Sequence, residues 1–403
     1  MSYFAHSAEL PAWVGELPEG WKRDWLKWSA TLHTDRPSDE EQERLPYISN
    51  EDVESWTGRL LAEDPQPSES DGRTFRTDDV LLNKLRPYLA KVYHADFDGI
   101  SSGELLCLRP SAEVLPRFLF YVLSSRGFID TIDAESFGTK MPRADWETVG
   151  HQPLPLPPLD VQRRIAQFLD DKTERIDALV EKKRALLDRL AEKRQSLITH
   201  AVTKGLDPDA PTKPSGVEWL GDVPEHWEVL HLHRLTRLSS GDFLSASEIE
   251  DSGPYPVYGG NGLRGRGETF NTVGRTVIIG RQGAHCGNVH ITEEKAHVTE
   301  HSFRCLPNKR LHNRWLAYML EVMNLGQYSV SAAQPGLSSD RLLLLPTVLP
   351  PLGEQEQIAD HLASHEGAII DTSHRVAESI DKLNEYRAAL VTAAVTGQIE
   401  GLR

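Results

Sequence analysis

The residues best suited to chemistry lie in two glycine-rich runs in the second half of the chain. The first, Tyr-Gly-Gly-Asn-Gly-Leu-Arg-Gly-Arg-Gly at 258–267, formally contains G-x-G-x-x-G. A dinucleotide loop needs a strand before it and a helix after it, but here Pro254 and Pro256 precede and Arg-Gly-Glu-Thr follows, so that chemistry is set aside. Two readings remain: a surface loop without a ligand, or a loop whose glycines let backbone amides approach phosphates while Asn261, Arg264 and Arg266 add polar contacts. The second run, 280–288, carries Arg281, Gln282, His285 and Asn288. Such side chains can read base edges, Arg on guanine and Gln or Asn on adenine, through paired hydrogen bonds. The corresponding stretch of the first half, Asn-Lys-Leu-Arg-Pro-Tyr-Leu-Ala-Lys at 83–91, offers Lys84, Arg86 and Lys91. Lys140, Arg143, Ser338 and Arg341 complete the candidate nucleic-acid contacts.

Other chemistry is missing. His285, Cys286, His290, His297, His301 and Cys305 raise the question of zinc, yet no Cys-x-x-Cys pair exists and the first half has no counterpart. No metal site is expected. There is no Walker lysine motif, no Ser-His-Asp order, no Asn-Pro-Pro-Tyr or Asp-Pro-Pro-Tyr, and no nuclease core of Pro-Asp with Glu-x-Lys. The acidic and basic strings at 170–172 and 181–183 read as positions on a helix. Catalysis is not expected of this chain.

What positions the candidate residues is a repeat. Pro157, Pro158, Leu159, Gln162, Ile165, Ala166 and Leu169 recur at Pro350, Pro351, Leu352, Gln355, Ile358, Ala359 and Leu362, a shift of 193 that continues without a gap to Ala-Val-Thr at 201–203 and 394–396. Earlier, Trp13 to Trp21 matches Trp219 to Trp227 at a shift of 206, and Val-Leu-Leu at 80–82 matches Val-Ile-Ile at 277–279 at a shift of 197. The order is A, B, A′, B′. The A segments drift in offset and diverge in their middles, whereas the B segments stay in register, as expected if the A segments read different things.

The B segments read as long helices that open after Pro-Pro and stop at Gly205 and Gly397. Ile165, Leu169, Lys172, Ile176, Leu179, Lys183, Leu186, Leu190, Lys193 and Leu197 alternate by four and three residues, the period of a coiled-coil seam. The second stripe is Ile358, Leu362, His365, Ile369, Thr372, Val376, Ser379, Leu383, Tyr386 and Leu390. The pattern predicts the two helices packing against each other, antiparallel, within one chain. The A segments read as mixed α/β heads, with β-rich runs such as 276–280 and 296–305 and helical stretches near 116–124 and 313–322. The predicted division is 1–152, a first head; 153–204, a central helix; 205–345, a second head; and 346–403, a C-terminal helix. The fold class is α+β with a pseudo-twofold repeat.

Composition sets the bounds. The chain has 403 residues, 39% hydrophobic and 26% charged, and its longest apolar stretches are far too short to span a membrane. Three widely spaced cysteines, Cys107, Cys286 and Cys305, fit a reducing compartment and predict a cytoplasmic protein. The net charge of −16 is uneven: residues 1–150 carry −11 and residues 151–204 carry +3. Local basic surfaces therefore coexist with an acidic total, and strong nucleic-acid binding would need help from another subunit.

On these features the chain resembles the DNA-specificity subunit of type I restriction-modification systems over essentially its whole length. The segments that carry the resemblance are Leu-Pro-Leu-Pro-Pro-Leu-Asp-Val-Gln at 154–162, Leu-Pro-Pro-Leu-Gly-Glu-Gln at 349–355, Tyr-Pro-Val-Tyr-Gly-Gly-Asn-Gly at 255–262 and Ile-Ile-Gly-Arg-Gln-Gly at 278–283. Asp160-Val161-Gln162 departs from the usual acid-Gln pair. The resemblance implies a non-catalytic subunit whose two target-recognition heads each read half of a bipartite duplex DNA site. It implies helices that act as spacer and dock two methyltransferase subunits, with Gln162, Ile165, Leu169, Gln355, Ile358 and Leu362 at the docking positions. S-adenosylmethionine would be bound by those partners, and ATP and Mg by a restriction subunit that joins the full complex. The residues alone leave open a different class, a cytosolic scaffold with two protein-binding heads.

Overall fold

The computed structural model describes residues 13–138, 140–308, 311–329 and 335–403. The chain divides into two compact units, Met1–Lys183 with Glu378–Arg403, and Arg184–Ala377. Each long helix therefore contributes residues to both units.

The first unit is built on four strands, β1 (Ala30–His33), β2 (Val80–Asn83), β3 (Val92–His94) and β4 (Leu105–Pro110), in the order β1-β4-β2-β3 and antiparallel throughout. Val-Leu-Leu-Asn of β2 is buried at every position, as a central strand covered on both faces requires. Helix α1 (Pro116–Leu123) opens on a proline, whose fixed φ suits a first turn, and buries every residue from Phe118 to Leu123. Helix α2 (Leu159–Lys204) follows, 46 residues long.

The second unit repeats this plan. Strands β5 (Thr236–Ser240), β6 (Val277–Gly280), β7 (Val289–Ile291) and β8 (Ser302–Pro307) take the order β5-β8-β6-β7. Register is kept to the residue: Val80 faces Leu108 and His94, while Val277 faces Cys305 and Ile291, each displaced by 197. Helix α3 (Asn313–Val322) is the counterpart of α1, and α4 (Leu352–Val395), 44 residues long, that of α2. The units part company in a second, three-stranded sheet. Both contain a parallel pair, Tyr47 with Ile100 and Val257 with His297. The third strand, however, joins opposite members of that pair: Gly72–Phe75 pairs with Gly99–Ser102, whereas Gly262–Gly267 pairs with Tyr255–Gly259. This is where the A segments lose their sequence match.

Within the first unit, Val161, Ile165 and Leu169 of α2 share a core with Val391, Ala394 and Val395 of α4. Within the second, Ile198, Ala201 and Val202 share one with Ile358, Ala359 and Leu362. Early residues of one helix meet late residues of the other in both cases, so the packing is antiparallel. The expected seam needs a correction at alternate positions. Thr173 and Val180 are buried, whereas Leu179 and Leu186 are 44% and 42% exposed. On α4, Glu366, Ser373 and Arg387 turn inward while His365, Thr372 and Tyr386 lie outside. The inward stripes open with two steps of four, at 165, 169 and 173 and at 358, 362 and 366. The first turns pack into a head, which fixes the helix phase there, and the 3.6-residue period then carries each stripe one residue past the strict 3.5 repeat. Among the described residues no helix is long and apolar enough to cross a membrane.

Candidate nucleic-acid interface

The two glycine-rich runs of the second unit meet. The first is a β-hairpin: Gly259 faces Gly262, with Asn261 at the exposed tip. That geometry contains no strand-to-helix turn. A Cβ on Gly280 would stand 2.0 Å from the Gly260 carbonyl oxygen, and one on Gly260 would stand 2.6 Å from that of Gln282. Gly260 and Gly280 are therefore taken up by backbone-to-backbone contact between the loops. Asn288 donates to the Asn261 Oδ1 at 3.0 Å across the same junction.

The loop itself is closed by Gly287 N–H donating to the Gly280 carbonyl and Gly280 N–H to that of Asn288, both at 2.8 Å. A third segment is tied to it: Gly283 N–H donates to the Pro335 carbonyl at 3.1 Å, and Leu337 N–H to that of Arg281 at 2.9 Å. Gln282, His285, Asn288, Asn261, Arg264 and Arg341 face solvent around this assembly. Gln282 Oε1 lies 2.9 Å from His301 Nδ1. Ser338 and Arg281 are half-buried, and the Arg281 guanidinium stacks 5.1 Å from the Phe303 ring centroid. Arg266 is engaged by its own head, donating to the carbonyls of Gly253 and, at 2.9 Å, Pro254.

The first unit holds the same construction in different residues. Ala144 N–H donates to the Lys84 carbonyl at 2.9 Å, and Arg86 N–H to that of Pro142 at 2.7 Å. These are the two bonds of Leu337 and Gly283, displaced by 193 and 197. Arg86 and Ala90 have φ of 54° and 47°, and their counterparts Gly283 and Gly287 have 94° and 95°. Lys84 and Arg86 are half-buried, and Lys140 and Arg143 are exposed. Arg143 pairs with Glu104 at 2.8 Å. Lys91 donates to the Asn50 carbonyl at 2.7 Å, so its charge is turned toward its own head. Sequence reading left out Tyr88, Phe137 and Met141, which are 46%, 58% and 60% exposed on these segments. The repeat offset was the signal that could have found them, because 137–144 precedes β-rich Pro153–Leu156 as 330–337 precedes Pro346–Leu349.

The six helix residues expected to dock partners are occupied otherwise. Gln162 is fully buried: its Oε1 accepts from Leu115 N–H at 2.7 Å, and its Nε2 donates to the carbonyls of Glu113 at 2.8 Å and Pro157 at 2.9 Å. Gln355 repeats this, accepting from His312 N–H at 3.0 Å and donating to the Pro350 carbonyl at 2.9 Å. Each amide supplies a partner to a head helix N-terminus, which has none of its own. Ile165, Leu169, Ile358 and Leu362 are at most 1% exposed. These side chains fasten a long helix to its head and present no surface to another subunit.

Two arginines missed by the seam reading lock the helix pairs. Arg194 binds Glu321 at 2.6 Å and Glu366 at 2.7 Å. Burial works against its charge, but the hydrogen bonds and charges of these carboxylates outweigh that and raise its pKa. Its counterpart Arg387 binds Asp177 and the Trp56 carbonyl, both at 2.9 Å. The cysteines are free and buried. Among the described residues no three His, Cys, Asp or Glu side chains are grouped to hold a metal.

A family model described as the type I restriction modification DNA specificity domain matches residues 30–189 and again 224–382. The type I restriction enzyme EcoprrI specificity subunit of Escherichia coli is 33% identical over 162 residues, 39% of this chain and 38% of that one, so the match spans well under half of the relative's length. The MjaVIII specificity subunit of Methanocaldococcus jannaschii is 23% identical over 331 residues, 75% of this chain and 74% of that one. Among solved structures, a chain from work on complex assembly and conformational transition of the type I R-M system shares the fold with a TM-score of 0.73 at 20% identity, covering 95% of this chain and 100% of that one. The HsdS subunit from Thermoanaerobacter tengcongensis matches with a TM-score of 0.50 at 20% identity, over 95% and 98%. Two matched copies take in most of the sequence, one on each head and helix: the chain belongs to the type I restriction modification DNA specificity domain family.

Proposed function

We propose that this chain is the non-catalytic DNA-specificity subunit of a type I restriction-modification complex, each head reading one half of a bipartite duplex target. The observation that carries the reading is the twin loop construction: one backbone frame, tied by the same pair of hydrogen bonds, displays Lys84, Arg86 and Tyr88 in one head and Arg281, Gln282 and His285 in the other. A shared frame with different side chains is what two readers of different half-sites need, since base identity is read by donors, acceptors and apolar groups at the groove edge. The two long helices, each with residues in both units, act as the spacer between half-sites. Two methyltransferase subunits supply S-adenosylmethionine and the methyl-transfer chemistry, and restriction subunits supply ATP-driven motion with Mg in the cytoplasm. Their docking falls to outward positions of the helices, Leu179 and Tyr386 in the first unit and Leu186 and Ile370 in the second, which are 42–56% exposed.

The test mixes the full chain with the methyltransferase encoded beside it and measures duplex binding at two salt concentrations, together with the methylome of cells that carry the pair. A bipartite methylated motif and binding that weakens as salt rises support the reading, because phosphate contacts release counterions. Arg281→Ala and Gln282→Ala should each relax one half-site, at a cost of roughly 1 to 3 kcal/mol per lost two-point contact. Methyl incorporation by the chain alone, or no site-selective binding by the mixture, would overturn it.

A further inference from the structure

The first head differs from the second in the kind of side chain it exposes. Phe137 and Arg143 exchange backbone hydrogen bonds at 3.1 and 2.9 Å. Pro142, next to Arg143, is joined to the Arg86 turn by the Arg86 N–H to Pro142 carbonyl bond at 2.7 Å. Three large apolar side chains lie on the joined segments, Tyr88, Phe137 and Met141, 46%, 58% and 60% exposed. Lys140 and Arg86 stand beside them in the chain, so the patch combines apolar surface with the positive charge that a phosphate backbone attracts. In the second head the position of Tyr88 is taken by His285 and that of the half-buried Leu85 by Gln282, both polar and exposed.

Arg86 and Ala90 keep side chains in the left-handed region, where glycine costs nothing and the second head uses glycine. Between them Pro87–Leu89 forms a single 3-10 turn that holds Tyr88 outward. Backbone strain maintained at a turn that displays an exposed side chain points to use of that side chain. In a major groove the one apolar feature is the 5-methyl group of thymine.

We propose that the first head reads its half-site in part by apolar contact of Met141, Phe137 and Tyr88 with thymine methyl groups, whereas the second head reads by hydrogen bonds. The inference rests on the function proposed above and assigns the chemistry of one of its two sites.

The test uses the full chain with its methyltransferase subunits and duplexes in which each thymine of one half-site is replaced by deoxyuridine. Deoxyuridine keeps every hydrogen-bonding group and removes only the methyl. In the half-site of the first head, affinity should fall about fourfold per contacted methyl, the worth of one buried methylene-sized group. Met141→Gln and Phe137→Ala should each narrow the preference for thymine over deoxyuridine duplexes, while Met141→Leu should keep it. The same variants should leave the other half-site unchanged. Equal affinity of the unaltered protein for thymine and deoxyuridine duplexes, a first half-site without thymine, or an undiminished preference in Met141→Gln together with Phe137→Ala would each overturn this inference while leaving bipartite DNA reading intact. Absence of any site-selective binding would overturn the underlying function as well.

Discussion

The turn that displays candidate reading residues has one shape in two chemistries. The second head builds it with Gly283 and Gly287, the first with Arg86 and Ala90, and all four have positive φ. The glycines do not have equal freedom to change. A Cβ on Gly283 would meet nothing within 4 Å, whereas one on Gly287 would stand 2.2 Å from the Gly326 backbone nitrogen. The comparison teaches that the repeat preserves backbone geometry and its hydrogen bonds, and that residue identity is released wherever the surrounding space allows.

The strongest way to break that comparison is Gly287→Ala. The left-handed backbone costs about 1 to 2 kcal/mol and the collision with the Gly326 backbone adds about 1 to 3, so the second head should lose about 3 kcal/mol in denaturant unfolding. Its counterpart position in the first head already holds Ala90. Retained stability in Gly287→Ala would mean that the second turn admits a side chain as the first does, and that crowding against Gly326 does not fix the glycine.

Removing the amides that fasten helix to head should weaken each unit separately. Gln162→Leu leaves Leu115 N–H and the Glu113 and Pro157 carbonyls without that partner, and Gln355→Leu leaves His312 N–H and the Pro350 carbonyl. Each buried group left unmatched costs about 1 to 3 kcal/mol, so Gln162→Leu should be the more damaging. Hydrogen exchange at the Leu115 and His312 amides reads the two effects apart; acceleration at both in either single variant would contradict separate fastening.

A smaller effect sharpens the contrast between strain and use. Arg86→Gly should stabilise the first head by about 1 kcal/mol, and Gly283→Ala should destabilise the second by a similar amount. Thermal unfolding gives the sign, and weaker duplex binding by the more stable Arg86→Gly variant would separate function from stability.

Acid should affect the heads most gently. Burial lowers the His290 pKa below 6.5 against the opposing charge of Glu321, and its Nε2 has no hydrogen-bond partner. Burial likewise lowers that of His94, but Asp78, 3.0 Å away, opposes the shift. A histidine whose folded pKa is depressed contributes stability in full above pH 6.5 and loses it as pH falls through the folded value. Unfolding measured between pH 7 and 5 should therefore show both units weakening, and His290→Gln should flatten the slope of the second.

The repeat, the α+β heads, the Pro-Pro starts and glycine stops of the long helices and their antiparallel pairing were legible in the sequence. Offsets and a sustained four-three alternation are properties of a chain read in one dimension, and β6 was found from Val277, Ile278 and Ile279 alone. Tertiary structure decided the rest. Which face of α2 turned inward depended on where its first turns met the head, so Val180 and Arg194 displaced Leu179 and Lys193. Gln162 and Gln355 were expected at partner-docking positions and are buried fasteners, because their hydrogen-bond partners at Glu113, Leu115 and His312 lie more than forty positions earlier. The hairpin at 258–267, the loop at 280–288 and the segment at 335–341 became one surface through backbone bonds and close glycine contacts that no spacing rule records. Residue type sets what a side chain can bind; its neighbours in space set whether that capacity is already satisfied.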